Sequence, residues 1–217
     1  MKNPYFTHET IDGVSREMLR TIEKSNKKRR FAFSPSRSAL IILDMQKYFL
    51  DQNSHAFVPS APSIVPKIKR LANAFVQSDL PIIFTRHINS SEDSQLMASW
   101  WNDLITEDNS LSEIIDELQF PRAKIVKKTQ YDGFYKTDLE DILLKRGVCQ
   151  LVITGVLSHL CCETTARSAF VRGFFVFLPI DGTATYNDEF HRATCLNLSH
   201  GFAIPVLVDE LLKSLET

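Results

Sequence analysis

The amino-acid sequence predicts an α/β protein, a three-layer α/β/α sandwich around a six-stranded, mainly parallel sheet. Two observations favour this fold. Six short apolar runs alternate with stretches of helical periodicity, and most of the runs are apolar throughout rather than alternating with polar residues. Such runs are typical of parallel strands covered by helices on both faces. A chain of 217 residues is long enough to bury this core within one domain.

The six predicted strands follow one another along the whole chain. They are residues 39–43, 80–85, 124–127, 150–155, 174–178 and 203–208. Each run is short, as expected for a strand, and helix-like or loop-like sequence separates it from the next.

Helices are predicted between the strands. Residues 64–77 place Ile64, Ile68, Leu71 and Phe75 on one helical face. A second helix spans 137–147, with Thr137 as its N-cap and a glycine at its end. A third begins at the cysteine pair 161–162 and is terminated by the glycine at 173.

The domain organisation is predicted to be simple. Residues 1–36 form an N-terminal extension packed on the domain, and residues 37–217 form the domain itself. Residues 86–123 form a long, weakly periodic crossover that carries two tryptophans. A long connection of this kind is often a pocket wall, although packing over the sheet is the simpler interpretation.

Composition excludes several function classes. The net charge of −1 gives no reason to expect a nucleic acid or an anionic membrane as partner, and the basic run at 24–30 is interpreted as a solvated linker. No apolar stretch has the length of a membrane span, and the N-terminus lacks the apolar core of a signal peptide. Four cysteines without metal-type spacing indicate a reducing compartment. We therefore expect a cytoplasmic protein.

Three reactive side chains come at the ends of predicted strands. Asp44 ends the first strand, Lys128 follows the third, and Cys161 follows the fourth. Open α/β sheets bind ligands beyond the carboxyl ends of their strands, so we expect these groups to meet in one pocket. Lys127 is an alternative to Lys128, because composition does not say which lysine points inward.

The three groups suit nucleophilic catalysis. A helix N-terminus and a nearby ammonium both favour a thiolate at Cys161. The carboxylate of Asp44 can carry the thiol proton, and backbone N–H groups can hold a tetrahedral oxyanion. Each residue also has a structural interpretation: an inert core thiol, a helix-capping aspartate or a solvated surface lysine. The coincidence at three strand ends favours catalysis.

These segments resemble the signature segments of the isochorismatase-like hydrolases. They are "ALIILDMQKYF", "VKKTQYDGFYKTDLEDIL" and "LVITGVLSHLCCETTARSAFVRGF", and the similarity extends from about residue 38 to 212. The resemblance implies a Rossmann-like sheet in the order 3-2-1-4-5-6 and a catalytic triad of Asp44, Lys128 and Cys161. It also implies a cis peptide between Val156 and Leu157, which would aim the N–H groups of Leu157 and Cys161 into an oxyanion hole.

Two chemistries occur within that superfamily. Amidases attack a carbonyl carbon through cysteine, whereas isochorismatase proper cleaves a vinyl ether by protonation and has glycine where this chain has Cys161. The retained thiol favours hydrolysis of a small amide or ureido C–N bond. Isochorismatase-type cleavage is the alternative, since the tryptophans and "TTARSAFVRG" resemble that branch. A non-catalytic binding or thiol-redox module is a further alternative.

No metal or other cofactor is expected. Asp51 and His55 stand at the wrong interval for the Asp-x-His pair of the nicotinamidase branch, and His87 is interpreted as a satisfied or solvent-facing side chain. The expected partner is a small-molecule substrate, and the resemblance implies a homo-oligomer, a dimer or larger. Candidate substrate-binding residues are Gln46, Tyr48, Phe49, Trp100, Tyr131 and Phe134.

Overall fold

The computed structural model describes residues 2–25, 31–101 and 103–216. Residues 26–30, which make up most of the basic run interpreted above as a solvated linker, lie outside the described residues.

One sheet of seven strands organises the described part of the chain, and its strand pairs are parallel. Its order is β3-β2-β1-β4-β5-β7, and the short β6 pairs with the end of β4. The predicted order 3-2-1-4-5-6 is confirmed, with the sixth predicted strand observed as β7. The strands are β1 (Ser38–Leu43), β2 (Ile82–His87), β3 (Lys124–Lys128), β4 (Gln150–Val156), β5 (Phe175–Pro179), β6 (Thr183–Ala184) and β7 (Ala203–Val206).

The two central strands are buried along their whole length. Every residue of β1 and β4 is buried, which explains why both read as continuous apolar runs. The edge strand β3 differs, because only Val126 and Lys128 are buried on it. Its alternating pattern gives it one covered and one exposed face.

Eight α-helices in the described residues flank the sheet, which confirms the three-layer sandwich. The helix α3 packs against β1, β2 and β4, and α6 packs against β5 and β7. The helices are α1 (Ile11–Ser25), α2 (Lys47–Leu50), α3 (Ala61–Gln77), α4 (Met97–Trp101), α5 (Leu139–Lys145), α6 (Glu163–Val171), α7 (Asp188–Gly201) and α8 (Val208–Leu215).

Two predicted helix starts differ from the structure. Helix α5 begins at Leu139 with Asp138, not Thr137, in the N-cap position. The hydroxyl of Thr137 donates to the Gly133 carbonyl at 2.6 Å and accepts from the Leu139 N–H at 3.4 Å. Helix α6 begins at Glu163, and the cysteine pair lies in a π-helical turn, Ser158–Cys162, that leads into it. Cys161 therefore lies two residues before the first residue of α6, in the π-helical turn that leads into it.

The described part of residues 1–36 shares the core of the domain. Phe6, Ile11 and Met18 are each at most 3% exposed and pack within the main hydrophobic cluster. Lys67 on α3 makes ion pairs with Asp12 of α1 at 2.6 Å and with buried Asp181 at 3.4 Å. In the described chain, we find no helix with the length and apolar character that crossing a membrane requires.

Candidate active site

Asp44, Lys128 and Cys161 meet at the carboxyl edge of the sheet. Lys128 Nζ lies 2.8 Å from Asp44 Oδ2 and 3.4 Å from Cys161 Sγ. Asp44 follows β1, Lys128 is the last residue of β3, and Cys161 lies in the turn after β4. All three side chains are buried. The ammonium thus lies between a carboxylate and a thiol.

A glycine on β4 makes room for the chain that turns at Asp44. Gly155 has φ +106°, and a Cβ built on it would lie 2.0 Å from the Leu43 carbonyl oxygen. Leu43 and Gly155 are register partners on adjacent strands. Asp44 itself has φ 51°, a left-handed conformation that aspartate tolerates better than most residues. The close approach of β4 to β1 therefore requires glycine at 155.

Thr85 on β2 fixes the orientation of the Asp44 carboxylate. Its hydroxyl donates to Asp44 Oδ1 at 2.6 Å and accepts from the Asp44 N–H at 3.1 Å. Among the described residues, Asp44 Oδ2 has no well-aligned hydrogen-bond donor, although Lys128 Nζ is close. One carboxylate oxygen is therefore held by Thr85, and the other keeps a lone pair that can accept a proton.

The two charges stabilise each other. Burial alone would oppose ionisation of Asp44, but the adjacent Lys128 and, more weakly, His87 outweigh it and lower the pKa of the carboxyl group. Burial likewise opposes the charge on Lys128, but Asp44 and Cys161 raise the pKa of that ammonium. The pair is a carboxylate and an ammonium at neutral pH.

The thiol is protonated at rest. Burial and the neighbouring Asp44 carboxylate raise the pKa of Cys161 to about 12, although Lys128 opposes this shift. Burial and the Asp44 charge thus act against the thiolate that a helix N-terminus and the ammonium were expected to favour. Since the charge of Lys128 is already balanced by Asp44, the thiol has to lose its proton to a local base when it attacks.

The two neighbouring lysines have different surroundings. Lys127 is exposed and pairs with Glu107 on the surface, whereas Lys128 is buried and also donates to the Gln130 carbonyl at 2.9 Å. Strand alternation places Lys128 on the same covered face as Val126. Only Lys128 faces the other two side chains.

His87, at the end of β2, is a buried neighbour of the group. Its Nδ1 lies 3.2 Å from Lys128 Nζ and its Nε2 lies 2.8 Å from Asn89 Oδ1. Burial and the charge of Lys128 lower the pKa of His87 to about 4. A neutral ring that accepts from Lys128 at Nδ1 donates from Nε2 to Asn89. His87 is thus a satisfied side chain, and it also orients the ammonium.

A cavity of about 70 Å³ opens onto the thiol. Its walls are mostly aromatic and aliphatic, and no lysine or arginine of the described residues lines it. The lining residues are Tyr48, Phe49, His55, Ala56, His87, Asn89, Met97, Trp101, Asp103, Ile105, Tyr131, Leu157, Leu160, Cys161 and Tyr186.

Three of the six substrate-binding candidates line this cavity: Tyr48, Phe49 and Tyr131. Gln46 does not, because its amide holds the backbone of His87 and the Ser112 carbonyl. Trp100 is 75% exposed, and Phe134 is buried in a stack on Phe174, away from the lining.

Two aromatic wall residues were not among the substrate-binding candidates. Trp101 lines the cavity, and its Nε1–H donates to the Tyr131 hydroxyl at 2.7 Å. Tyr186, which follows β6, also lines it. Burial and the nearby Tyr131 and Cys161 raise the pKa of Tyr186 to about 12, so its phenol faces the thiol as a neutral group.

The turn between β4 and α6 carries the backbone groups assigned above to an oxyanion hole. The peptide between Val156 and Leu157 is cis, as the resemblance implied. Leu157 and Cys161 both line the cavity. Their N–H groups therefore belong to the segment that a bound carbonyl would approach.

Two histidines, His55 and His87, line the cavity. Over the residues that the structure describes, no three His, Cys, Asp or Glu side chains converge on a common point. His55 lies at the cavity wall 3.4 Å from Asp103 Oδ2, and both side chains are about half exposed. His87 is committed to Lys128 and Asn89.

Comparison with known proteins identifies the family. The family model described as "Isochorismatase domain" matches residues 38–210, which include the whole candidate site. The chain belongs to the isochorismatase family. Residues 2–25, which share the core, precede the matched region.

Curated relatives come from two branches of the isochorismatase family. Nicotinamidase 3 of Arabidopsis thaliana is 39% identical over 183 residues, 82% of this chain and 88% of that protein. Isochorismatase of Bacillus subtilis is 31% identical over 188 residues, 84% of this chain and 59% of that longer protein. The family match and these relatives make the chain an isochorismatase-family hydrolase.

A solved structure shares the fold. The cysteine hydrolase from Pseudomonas syringae pv. phaseolicola superposes with a TM-score of 0.84 at 27% identity, covering 88% of this chain and 98% of that one.

Proposed function

We propose that this protein hydrolyses a small amide or ureido C–N bond through a thioester on Cys161. The observation that carries the proposal is the position of Lys128 Nζ, 2.8 Å from the Asp44 carboxylate and 3.4 Å from the Cys161 sulfur, beside a cavity. This arrangement supplies a nucleophile, a base and a fixed positive charge.

The first step is attack by sulfur on the substrate carbonyl. Asp44 takes the thiol proton as the new C–S bond forms, and the carbonyl π electrons move onto oxygen. The charge removed from Asp44 reappears on sulfur and then on the oxyanion, so Lys128 stabilises every stage without changing its own protonation. The N–H groups of Leu157 and Cys161 hold the oxyanion.

The second step releases the amine and then the acid. The C–N bond breaks, nitrogen takes the proton from Asp44, and a thioester stays on Cys161. A water molecule then loses a proton to Asp44 and attacks the thioester. When the C–S bond breaks, the proton returns to sulfur and the carboxylic acid leaves. One Asp44 carboxylate serves both halves of the reaction.

The ionisation of Asp44 favours amide hydrolysis over vinyl-ether cleavage. Cleavage of a vinyl ether begins with protonation of carbon, which requires an acid that is protonated at rest. Lys128 lowers the pKa of Asp44, so the resting carboxylate is a base. The cavity also lacks a cationic lining residue among those described, which suits a neutral amide better than a dianionic substrate such as isochorismate.

The relatives support the same ranking. The relative at 39% identity is named a nicotinamidase, and the one named isochorismatase is 31% identical. Nicotinamide is therefore the first substrate to test. Vinyl-ether cleavage is the second candidate function, because one of the relatives is named isochorismatase.

A substrate panel with matched cysteine variants tests the proposal. Small primary amides including nicotinamide, small ureido acids and isochorismate are incubated with enzyme, and released ammonia and pyruvate are measured. We expect ammonia release that falls by about a thousandfold or more in Cys161→Ala. Cys149→Ala is the control, because that half-buried thiol precedes β4 and is outside the cavity lining. Its activity should equal that of the wild type.

Two outcomes contradict the proposal. Pyruvate release from isochorismate that survives Cys161→Ala assigns the vinyl-ether reaction instead. Turnover of no panel member, together with a reversible disulfide at Cys161 and Cys162 in untreated protein, assigns a thiol-redox module.

A further inference from the structure

The N-terminal residues 2–6, here called the N-terminal strap, connect two separate segments of the cavity wall. One segment contains His55 and Ala56, which follow α2, and the other contains Tyr186, which follows β6. Lys2 Nζ donates to the His55 carbonyl and also lies 4.3 Å from the centroid of the Tyr186 ring. A single side chain thus joins both segments, by a hydrogen bond and a cation–π contact.

Further strap residues fix the Tyr186 segment. The Asn3 N–H donates to the Tyr186 carbonyl at 2.8 Å. The Tyr5 hydroxyl accepts from the Thr185 N–H at 3.0 Å and donates to His191 Nδ1 at 2.8 Å. His191 can accept because burial lowers its pKa to about 3 and keeps the ring neutral. The backbone on both sides of the 185–186 peptide is therefore held by the strap.

The strap is itself firmly anchored. The N–H groups of Tyr5 and Phe6 donate to Ser60 Oγ at 3.0 and 3.1 Å, and Ser63 Oγ donates to the Phe6 carbonyl at 3.2 Å. Phe6 is 1% exposed. Ser60 is the N-cap residue of α3, just after the His55 segment. The anchor and one of the two wall segments thus belong to neighbouring stretches of chain.

We propose that the N-terminal strap sets the width of the entrance to the thiol, with Lys2 as the positioning residue that ties the His55 and Tyr186 segments together. The inference rests on the proposed function only in treating this cavity as the substrate site. Tyr186 faces Cys161, so a shift of its segment changes access to the nucleophile. The family model matches residues 38–210, and the strap precedes them. The size of substrate that this entrance admits therefore depends on residues outside the matched region.

Labelling of Cys161 with reagents of two sizes tests this role. Iodoacetamide is the small reagent and N-(1-pyrenyl)maleimide the bulky one, and fragment mass spectrometry separates Cys161 from Cys162. In Lys2→Ala, we expect the bulky reagent to label Cys161 about two- to fivefold faster, because a cation–π contact of ordinary strength is lost. The small reagent should show little change. Lys2→Arg keeps the cation and should restore the wild-type rate.

Two controls make the result decisive. Lys69→Ala removes an exposed lysine on α3, and its labelling rates should match those of the wild type. Cys149 reports general loosening, and its rate should not change in Lys2→Ala. Unchanged Cys161 labelling in Lys2→Ala, or equal acceleration at Cys149, overturns the inference. Full turnover by Cys161→Ala would instead refute the proposed function, and neither failure implies the other.

Discussion

Lys128→Met removes one half of a buried ion pair and should strongly destabilise the fold. The side chains of Lys128 and Asp44 are both 0% exposed, and the charged atoms are 2.8 Å apart. Methionine has a similar length and fills most of the space, so the main cost is an unpaired buried carboxylate. Removing one partner of such a pair costs about 3–5 kcal/mol. Asp44→Asn should cost less, because the ammonium keeps the Gln130 carbonyl as acceptor.

The double variant separates the ion pair from ordinary packing. Asp44→Asn combined with Lys128→Met removes both charges, so it should be more stable than Lys128→Met alone by about 1–3 kcal/mol. Urea unfolding followed by circular dichroism at pH 7 measures all three variants. Lys127→Met is the matched control. Lys127 is the exposed neighbour of Lys128, so its replacement should change the free energy of unfolding little. Strictly additive costs for the two single changes would refute the buried ion pair.

Three further predictions concern the surroundings of the site. Gly155→Ala should destabilise the fold by about 3 kcal/mol or more in urea unfolding, because the new Cβ would collide with the Leu43 backbone. Gly13→Ala on α1 is the control: its Cβ would have no atom within 4 Å, so it should stabilise the fold by about 0.5–1 kcal/mol. Trp101→Phe should raise KM about two- to tenfold for the panel substrate through loss of a cavity-wall hydrogen bond, and Trp100→Phe should leave KM unchanged. Because the pKa of Asp44 is lowered from 3.8, its contribution to stability should be present above that pH and lost below it, so the stability gap to Asp44→Asn should shrink in acid.

Position at strand ends was the most informative signal in the sequence. It located Asp44, Lys128 and Cys161 without any knowledge of contacts, because the carboxyl ends of parallel strands share one edge. His87, the last residue of β2, also lies at a strand end, but the sequence offers it no metal-type partner and gives no other sign of its contact with Lys128. Strand alternation also indicates which lysine points inward, because Val126 and Lys128 share one face of β3.

Other features depend on packing that no local pattern encodes. The two-residue β6 is too short for a periodic signal, and it is defined by its pairing with β4. The inward position of Trp101 rather than Trp100 is set by how the five-residue α4 lies on the site. The raised pKa of Cys161 depends on burial and on the Asp44 charge, which the prediction from helix position alone did not include.

Besides the catalytic roles proposed above, three predictions about the chain as a whole stay predictions. They are the division of the chain at residues 36 and 37, a cytoplasmic location and assembly as a homo-oligomer. The first of these bears on the proposed site, because deleting residues 1–36 would also remove the contacts that Lys2 and Tyr5 make with the His55 and Thr185 backbone beside the cavity.

Rapid-quench mass spectrometry of the intact enzyme tests the central mechanism most directly. During turnover of the panel substrate, the account predicts a transient mass increase equal to the acyl group, mapped to Cys161 and absent in Cys161→Ala. In Asp44→Asn, the acyl adduct should not form, because no base is left to take the thiol proton. Turnover with no acyl adduct at Cys161 under conditions that slow hydrolysis of thioesters would contradict the account.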